Sequence, residues 1–134
     1  MAMIKNPVCL SDNYDNEHRI FRRGEIYYIN LEGVGTGTKF IQQKTRSALI
    51  IQNDLGNTNA FTLIVALMTS TYKRGYPFQY IFRFSDDRES VVMFDQLMTI
   101  DKTRVLGKIG QLSPKQMKEA EQRLMYSLQL TEYL

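Results

Sequence analysis

"RSALIIQNDLGNTNAFTLIVALMT", residues 46–69, decides the fold. "SALIIQN" (47–53) and "FTLIVALMT" (61–69) each carry an apolar run of strand length, too short for an ordinary helix and unbroken by polar alternation. Runs of that kind read as strands buried on both faces. The "DLGNTNA" between them (54–60) is turn chemistry, so the strands are expected to fold back as antiparallel neighbours. That pairing sets Arg46, at the mouth of the first strand, beside Thr69, at the end of the second. A guanidinium and a hydroxyl on one edge of a rigid sheet suit the recognition of a phosphate.

Further strands are expected on either side. "EIYYINL" (25–31) and "FQYIFRF" (78–84) alternate and are rich in aromatic and β-branched residues. "SVVMFDQL" (90–97) is another strand, and "MTIDKTRVLGKIGQL" (98–112) reads as short strands with a kink. Two loops, 32–45 and 70–77, open onto the edge that holds Arg46 and Thr69. The pattern changes at "SPKQMKEAEQRLMYSLQL": Ser113 is an N-cap, Pro114 takes the first helical position and Gln116 completes a capping box. Met117, Ala120, Leu124 and Leu128 recur on one helical face. Several short strands and one C-terminal helix describe a small, curled, mostly antiparallel sheet or partly open barrel. Residues 1–21 are polar and aperiodic, an appendage expected to be flexible or folded against the body at 22–134.

Composition bounds the function. The 134 residues suit one domain. No apolar run approaches the roughly 20 residues of a membrane helix. There is no secretory signal pattern, and the lone Cys9 fits a reducing compartment. The net charge is only +3, but six cations (Lys39, Lys44, Arg46, Lys73, Arg74, Arg83) and one acid, Asp54, lie between Gly33 and Ser85. Such a basic half can meet a polyanion locally. One histidine, His18, and one cysteine cannot build the usual zinc site, and neither supplies the positioned base that a serine or cysteine nucleophile needs. "GVGTG" (33–37) precedes no helix signal and is no phosphate-binding loop. Asp86 and Asp87 sit in "SDDRE", a turn composition rather than a metal site.

The body resembles the MazF/PemK family of toxin endoribonucleases from bacterial toxin–antitoxin systems. "RGEIYYINL" is similar to the family's opening strand and "RSALIIQNDLGN" to its Arg-Pro-hydrophobic-Gln-Asn-Asp signature. "TLIVALMTS" is similar to the strand that ends in threonine, and "DQLMTIDKTRV" to its Gln-Ile-Arg-Thr-Ile-Asp-Lys segment. The chain departs from the pattern at Ser47, where the family has proline, and at Met98, where it has arginine. The resemblance implies an SH3-like small barrel of the MazF/CcdB type, working as a homodimer in the bacterial cytoplasm. It implies metal-independent, cofactor-free cleavage of single-stranded RNA by 2′-hydroxyl attack, giving 2′,3′-cyclic phosphate and 5′-hydroxyl ends. A cognate antitoxin would occupy the RNA groove. The family's catalytic roles fall on Arg46 and Thr69. Thr36, Thr38, Lys39, Tyr76 and Gln96 are further candidates for RNA contact. The alternative is a non-catalytic protein of the same fold: a CcdB-like gyrase binder, or a weakened homologue that binds its antitoxin and regulates transcription.

Overall fold

The computed structural model describes residues 18–34, 45–71 and 75–132. Six strands form one antiparallel sheet: β1 (Glu25–Asn30), β2 (Thr45–Ile50), β3 (Thr62–Thr69), β4 (Gln79–Arg83), β5 (Glu89–Asp101) and β6 (Val105–Gln111). Their order across the sheet is β4-β5-β3-β2-β1-β6. A six-residue helix, α1 (Asp54–Asn59), joins β2 to β3, and α2 (Pro114–Ser127) closes the chain. No helix among the described residues is long and apolar enough to cross a membrane.

The reason β2 and β3 are apolar at nearly every position is that both faces of the sheet are covered. Alternate side chains divide between two clusters. Tyr27, Ile29, Ala48, Ile50, Leu63, Val65 and Leu67 fill the inner one with Phe21, Val91, Met93 and Ile100. Ile26, Leu49, Ala66, Met68, Val92 and Phe94 fill the outer one, where Ala120 of α2 is buried and Met117 and Leu124 pack beside it. Among the described residues no helix contributes to the inner cluster, and the sheet curls to bury that face. It does not close: β4 and β6 are left as edges, and the expected barrel is a partly open one.

Several local expectations are refined. The 54–60 turn is a true helical turn, because the Asn53 side chain accepts from the Gly56 N–H (2.8 Å) and caps it. The strand expected at 90–97 runs on without a break to Asp101, 13 residues in all, so the kink in 98–112 falls at 102–104, between β5 and β6. β5 serves two partners: it pairs with β4 through Met93 and with β3 through Asp101, slipping register opposite Ala66–Met68. A short 3-10 turn, Lys102–Arg104, leads into β6. The capping box on α2 forms as expected, with Ser113 and Gln116 exchanging hydrogen bonds of 2.9 and 3.1 Å. The apolar stripe of α2 ends at Leu124, since Leu128 is half exposed. Before β1, Phe21 is buried and the Arg19 guanidinium donates to the Val105 and Leu106 carbonyls (3.2 and 2.7 Å), so Arg19 and Phe21 are held on the body.

Candidate active site

The antiparallel pairing of β2 with β3 runs through Ala48↔Leu67, Leu49↔Ala66 and Ile50↔Val65. Continuing the same register by two residues sets Arg46 opposite Thr69, the juxtaposition expected from the sequence. Both positions share the parity of Ala48, Ile50, Val65 and Leu67, so both belong to the inner face. They lie where β1 ends, β2 begins and β3 ends.

Arg46 is not the solvated charge of a strand end. Only 8% of it is exposed. Its Nη2 donates to the Met68 carbonyl oxygen at 2.8 Å, the next carbonyl of β3 after the paired ladder stops. One arm of the guanidinium is thereby fixed on a main-chain acceptor. Burial lowers its pKa from the ordinary arginine value, yet that value is so high that the group is a cation at neutral pH. A fixed, poorly hydrated cation interacts with an anion far more strongly than one in bulk water.

Thr69 is half-buried, and its Oγ1 accepts from the Thr71 N–H at 3.2 Å, with the Thr71 hydroxyl 3.1 Å away. The backbone bond holds the threonine rotamer, and its own O–H proton is left to point to Thr71 or to a ligand. The pair can therefore present one fixed cation and one oriented hydroxyl to a single anionic group.

The remaining candidates distribute differently. Thr36, Thr38 and Lys39 lie outside the described residues. Gln96 is half-buried in β5, the strand next to β3, beside the register slip. Tyr76 is 51% exposed and its ring stacks on Phe78 with centroids 5.2 Å apart. It lines a groove of about 750 Å³ between β4 and α2, with Gln79, Arg83, Gln122 and Arg123. Asp86 and Asp87 behave as turn residues: Asp86 accepts from Arg88 (2.8 Å) and Asp87 pairs with Arg83 (3.6 Å). Among the described residues no three His, Cys, Asp or Glu side chains converge on a common point.

A sequence model of PemK-like, MazF-like toxins of type II toxin–antitoxin systems matches residues 22–128. The chain belongs to the PemK/MazF toxin family. It is 33% identical over 118 residues to endoribonuclease EndoA of Bacillus subtilis, covering 85% of this chain and 99% of that protein. It is 34% identical over 115 residues to endoribonuclease MazF of Staphylococcus saprophyticus, covering 83% and 93%. Among solved structures, a mycobacterial endoribonuclease superposes with a TM-score of 0.69 at 20% identity, covering 87% of this chain and 97% of that one. A mycobacterial endoribonuclease in complex with its cognate antitoxin does so at 0.69 and 23%, covering 84% and 98%. The likeness to these structures is one of fold.

Within the PemK/MazF frame, the polar signature after β2 has a structural job that sequence reasoning missed. Asn53 caps α1, and Asp54 accepts from the Arg23 N–H (2.7 Å) and the Asn57 amide (3.1 Å). Gln52 donates to Asn57 (3.1 Å) and to the Thr62 carbonyl (3.0 Å). The signature thus locks the hairpin at the end remote from Arg46. The local signal was weak: Asn53 is a favoured N-cap residue, but Gly56 stands where a capping box has Glu or Gln. The two departures also have local consequences. Ser47 keeps a flexible residue beside Arg46, opposite Tyr28. Met98 packs partly buried against the inner cluster, opposite Val65, so an apolar chain takes the place of a cation.

Proposed function

We propose that the chain is an endoribonuclease toxin that cuts single-stranded RNA and is held inactive by a cognate antitoxin. Membership of the PemK/MazF toxin family and relatives named as endoribonucleases support the activity. The observation that carries the assignment of residues is the buried Arg46, anchored on the Met68 carbonyl and facing the same edge as Thr69.

In this reading the substrate supplies its own nucleophile. The ribose 2′-oxygen attacks the adjacent phosphorus, a 2′-O–P bond forms and the P–O5′ bond breaks. The 2′-hydroxyl gives up its proton to solvent, and the departing 5′-oxygen gains one. The products are a 2′,3′-cyclic phosphate and a 5′-hydroxyl end. Arg46 neutralises the charge that builds on the phosphorane oxygens, the kind of fixed electrostatic help that lowers such barriers most. One arm of its guanidinium is held by the Met68 carbonyl, which fixes the orientation in which the cation meets the phosphate. Thr69 donates its O–H to the same phosphate. Gln96 is the neighbouring-strand candidate for RNA contact, and the exposed face of Tyr76 is a surface on which an unpaired base can stack. The protein works as a homodimer in the bacterial cytoplasm, as the family resemblance implies.

The test is incubation of purified protein with a long single-stranded RNA of varied sequence in EDTA, beside Arg46→Ala. Discrete cuts with 5′-hydroxyl ends, absent from the variant, are expected. A folded wild-type protein that leaves such RNA intact overturns the assignment.

A further inference from the structure

β2 pairs with β3 only as far as Ala48, so at Thr45 and Arg46 the paired neighbour is the end of β1, through Asn30↔Thr45 and Ile29↔Arg46. Whatever fixes the end of β1 therefore fixes the backbone that carries Arg46. That end is tied in an unusual way. Arg104, half-buried in the 3-10 turn before β6, sends one guanidinium nitrogen, Nη1, to two main-chain oxygens more than 70 residues away: Asn30 O at 3.1 Å and Glu32 O at 2.9 Å. The two carbonyls are brought together by a local turn, in which the Asn30 side chain accepts from the Glu32 N–H at 2.8 Å. Leu31 between them is buried, Val34 N–H donates back to Leu31 O (2.9 Å), and Gly33 supplies the positive φ of 77° that lets the chain leave.

The same short turn is tied at its other end. Asp101 caps it by accepting from Thr103 N–H (2.9 Å), and Lys102 Nζ donates to the Asn57 carbonyl of α1 (2.6 Å). Residues 101–104 thus staple the exit of β1 to the α1 hairpin across the inner face. A charged donor to a main-chain oxygen is a strong tie in a half-buried place.

We propose that Arg104 is a positioning residue for Arg46: it clamps the end of β1 and thereby holds the first residues of β2 in place. The catalytic part of this inference rests on the endoribonuclease reading, whereas the clamp itself does not. The experiment is native-state amide exchange on wild type, Arg104→Ala and Arg104→Lys, with single-turnover RNA cleavage on the same samples. In Arg104→Ala, exchange at residues 29–32 and 45–47 is expected to speed up about tenfold or more while the β3 amides of 63–67 hold their rates, as a local opening requires. The cleavage rate at saturating RNA is expected to fall roughly 10- to 100-fold with apparent KM unchanged, since a displaced catalytic group costs rate at that scale. Lysine keeps one charged donor and restores part of both. Uniform acceleration across the sheet, or unchanged exchange at 45–47, overturns the clamp. Local opening with an unchanged rate per folded molecule overturns the positioning role. Should Arg104→Ala fail to fold, Arg104→Lys carries the same comparison. Wild type that cuts no RNA counts against the endoribonuclease reading, and the exchange data still decide the clamp.

Discussion

Replacing Arg46 by lysine separates charge from geometry at the proposed site. Arginine is buried there, with one arm of its planar fork 2.8 Å from the Met68 oxygen. Lysine has a single ammonium, more strongly hydrated, that must choose between the carbonyl and the substrate. If it chooses the carbonyl, the phosphorane loses a preorganised donor, an effect worth about 10²–10³ in rate, or roughly 2.7–4 kcal/mol. The fold in that case keeps its hydrogen bond to the Met68 oxygen. Burial also lowers a lysine pKa, from an ordinary value of about 10.4. Residual activity of the variant should therefore decline as the pH rises through that lowered value, below any pH at which the wild-type arginine loses its proton. The assay is single-turnover cleavage across pH 6 to 10, with urea unfolding of the same preparations. An Arg46→Lys enzyme within about threefold of wild type at neutral pH would refute the reasoning, because a point charge would then serve as well as an anchored fork.

Thr69→Val keeps the shape and removes the hydroxyl, so cleavage should slow by about one to two orders of magnitude, the scale of one lost charge-directed hydrogen bond. Thr69→Ser should recover most of that rate, and single-turnover kinetics on both variants settles the point. Asn53→Ala removes the cap of α1 and should cost about 1 kcal/mol in urea unfolding, with cleavage per folded molecule unchanged. Asp54 is held below the ordinary carboxylate range chiefly by the Arg23 backbone N–H, then by the Asn57 side chain. Its ionised form therefore favours the folded state, fully above its unfolded pKa of about 3.9 and progressively less as the pH falls through the lower folded value. The stability gap between wild type and Asp54→Asn should narrow as the pH drops below about 4. A gap that stays constant from pH 7 to pH 2 would contradict that coupling.

How much of this was legible in the sequence depends on which forces are local. The β2–β3 hairpin was, because two continuous apolar runs bounded by polar turns demand a sheet buried on both faces. Once the strands are antiparallel neighbours, the register that places Arg46 by Thr69 follows. The start of α2 was legible for the same reason, since its capping box is written in four consecutive residues. α1 was not: six residues of "DLGNTN" carry no apolar period, and the helix exists because Asn53, Asp54, Gln52 and Asn57 hydrogen-bond one another and the adjoining chain. β5 was legible only to Leu97: its last four residues are strand because they pair with β3 from Thr62 to Val65, a long-range match that no local pattern shows. The burial of Arg46 was beyond reach as well. A cation at the end of an apolar run looks solvated until the carbonyl that receives it is known, and Met68 O comes from the facing strand, 22 residues later. Arg104 is the extreme case, tied to oxygens 72 and 74 residues away that no spacing in the sequence connects.

In the proposed reaction the RNA provides the nucleophile, and Arg46 with Thr69 stabilises the phosphorane that it forms. The most direct test uses two oligonucleotides identical but for a 2′-deoxy sugar on the 5′ side of a mapped cut, each given to wild-type protein in single turnover, with binding measured in parallel. Equal binding and complete loss of cleavage at the deoxy position are expected, with cyclic phosphate and 5′-hydroxyl ends on the all-ribose strand. Cleavage of the deoxy-substituted bond would contradict it, since the attacking oxygen would then have to come from water or from the protein.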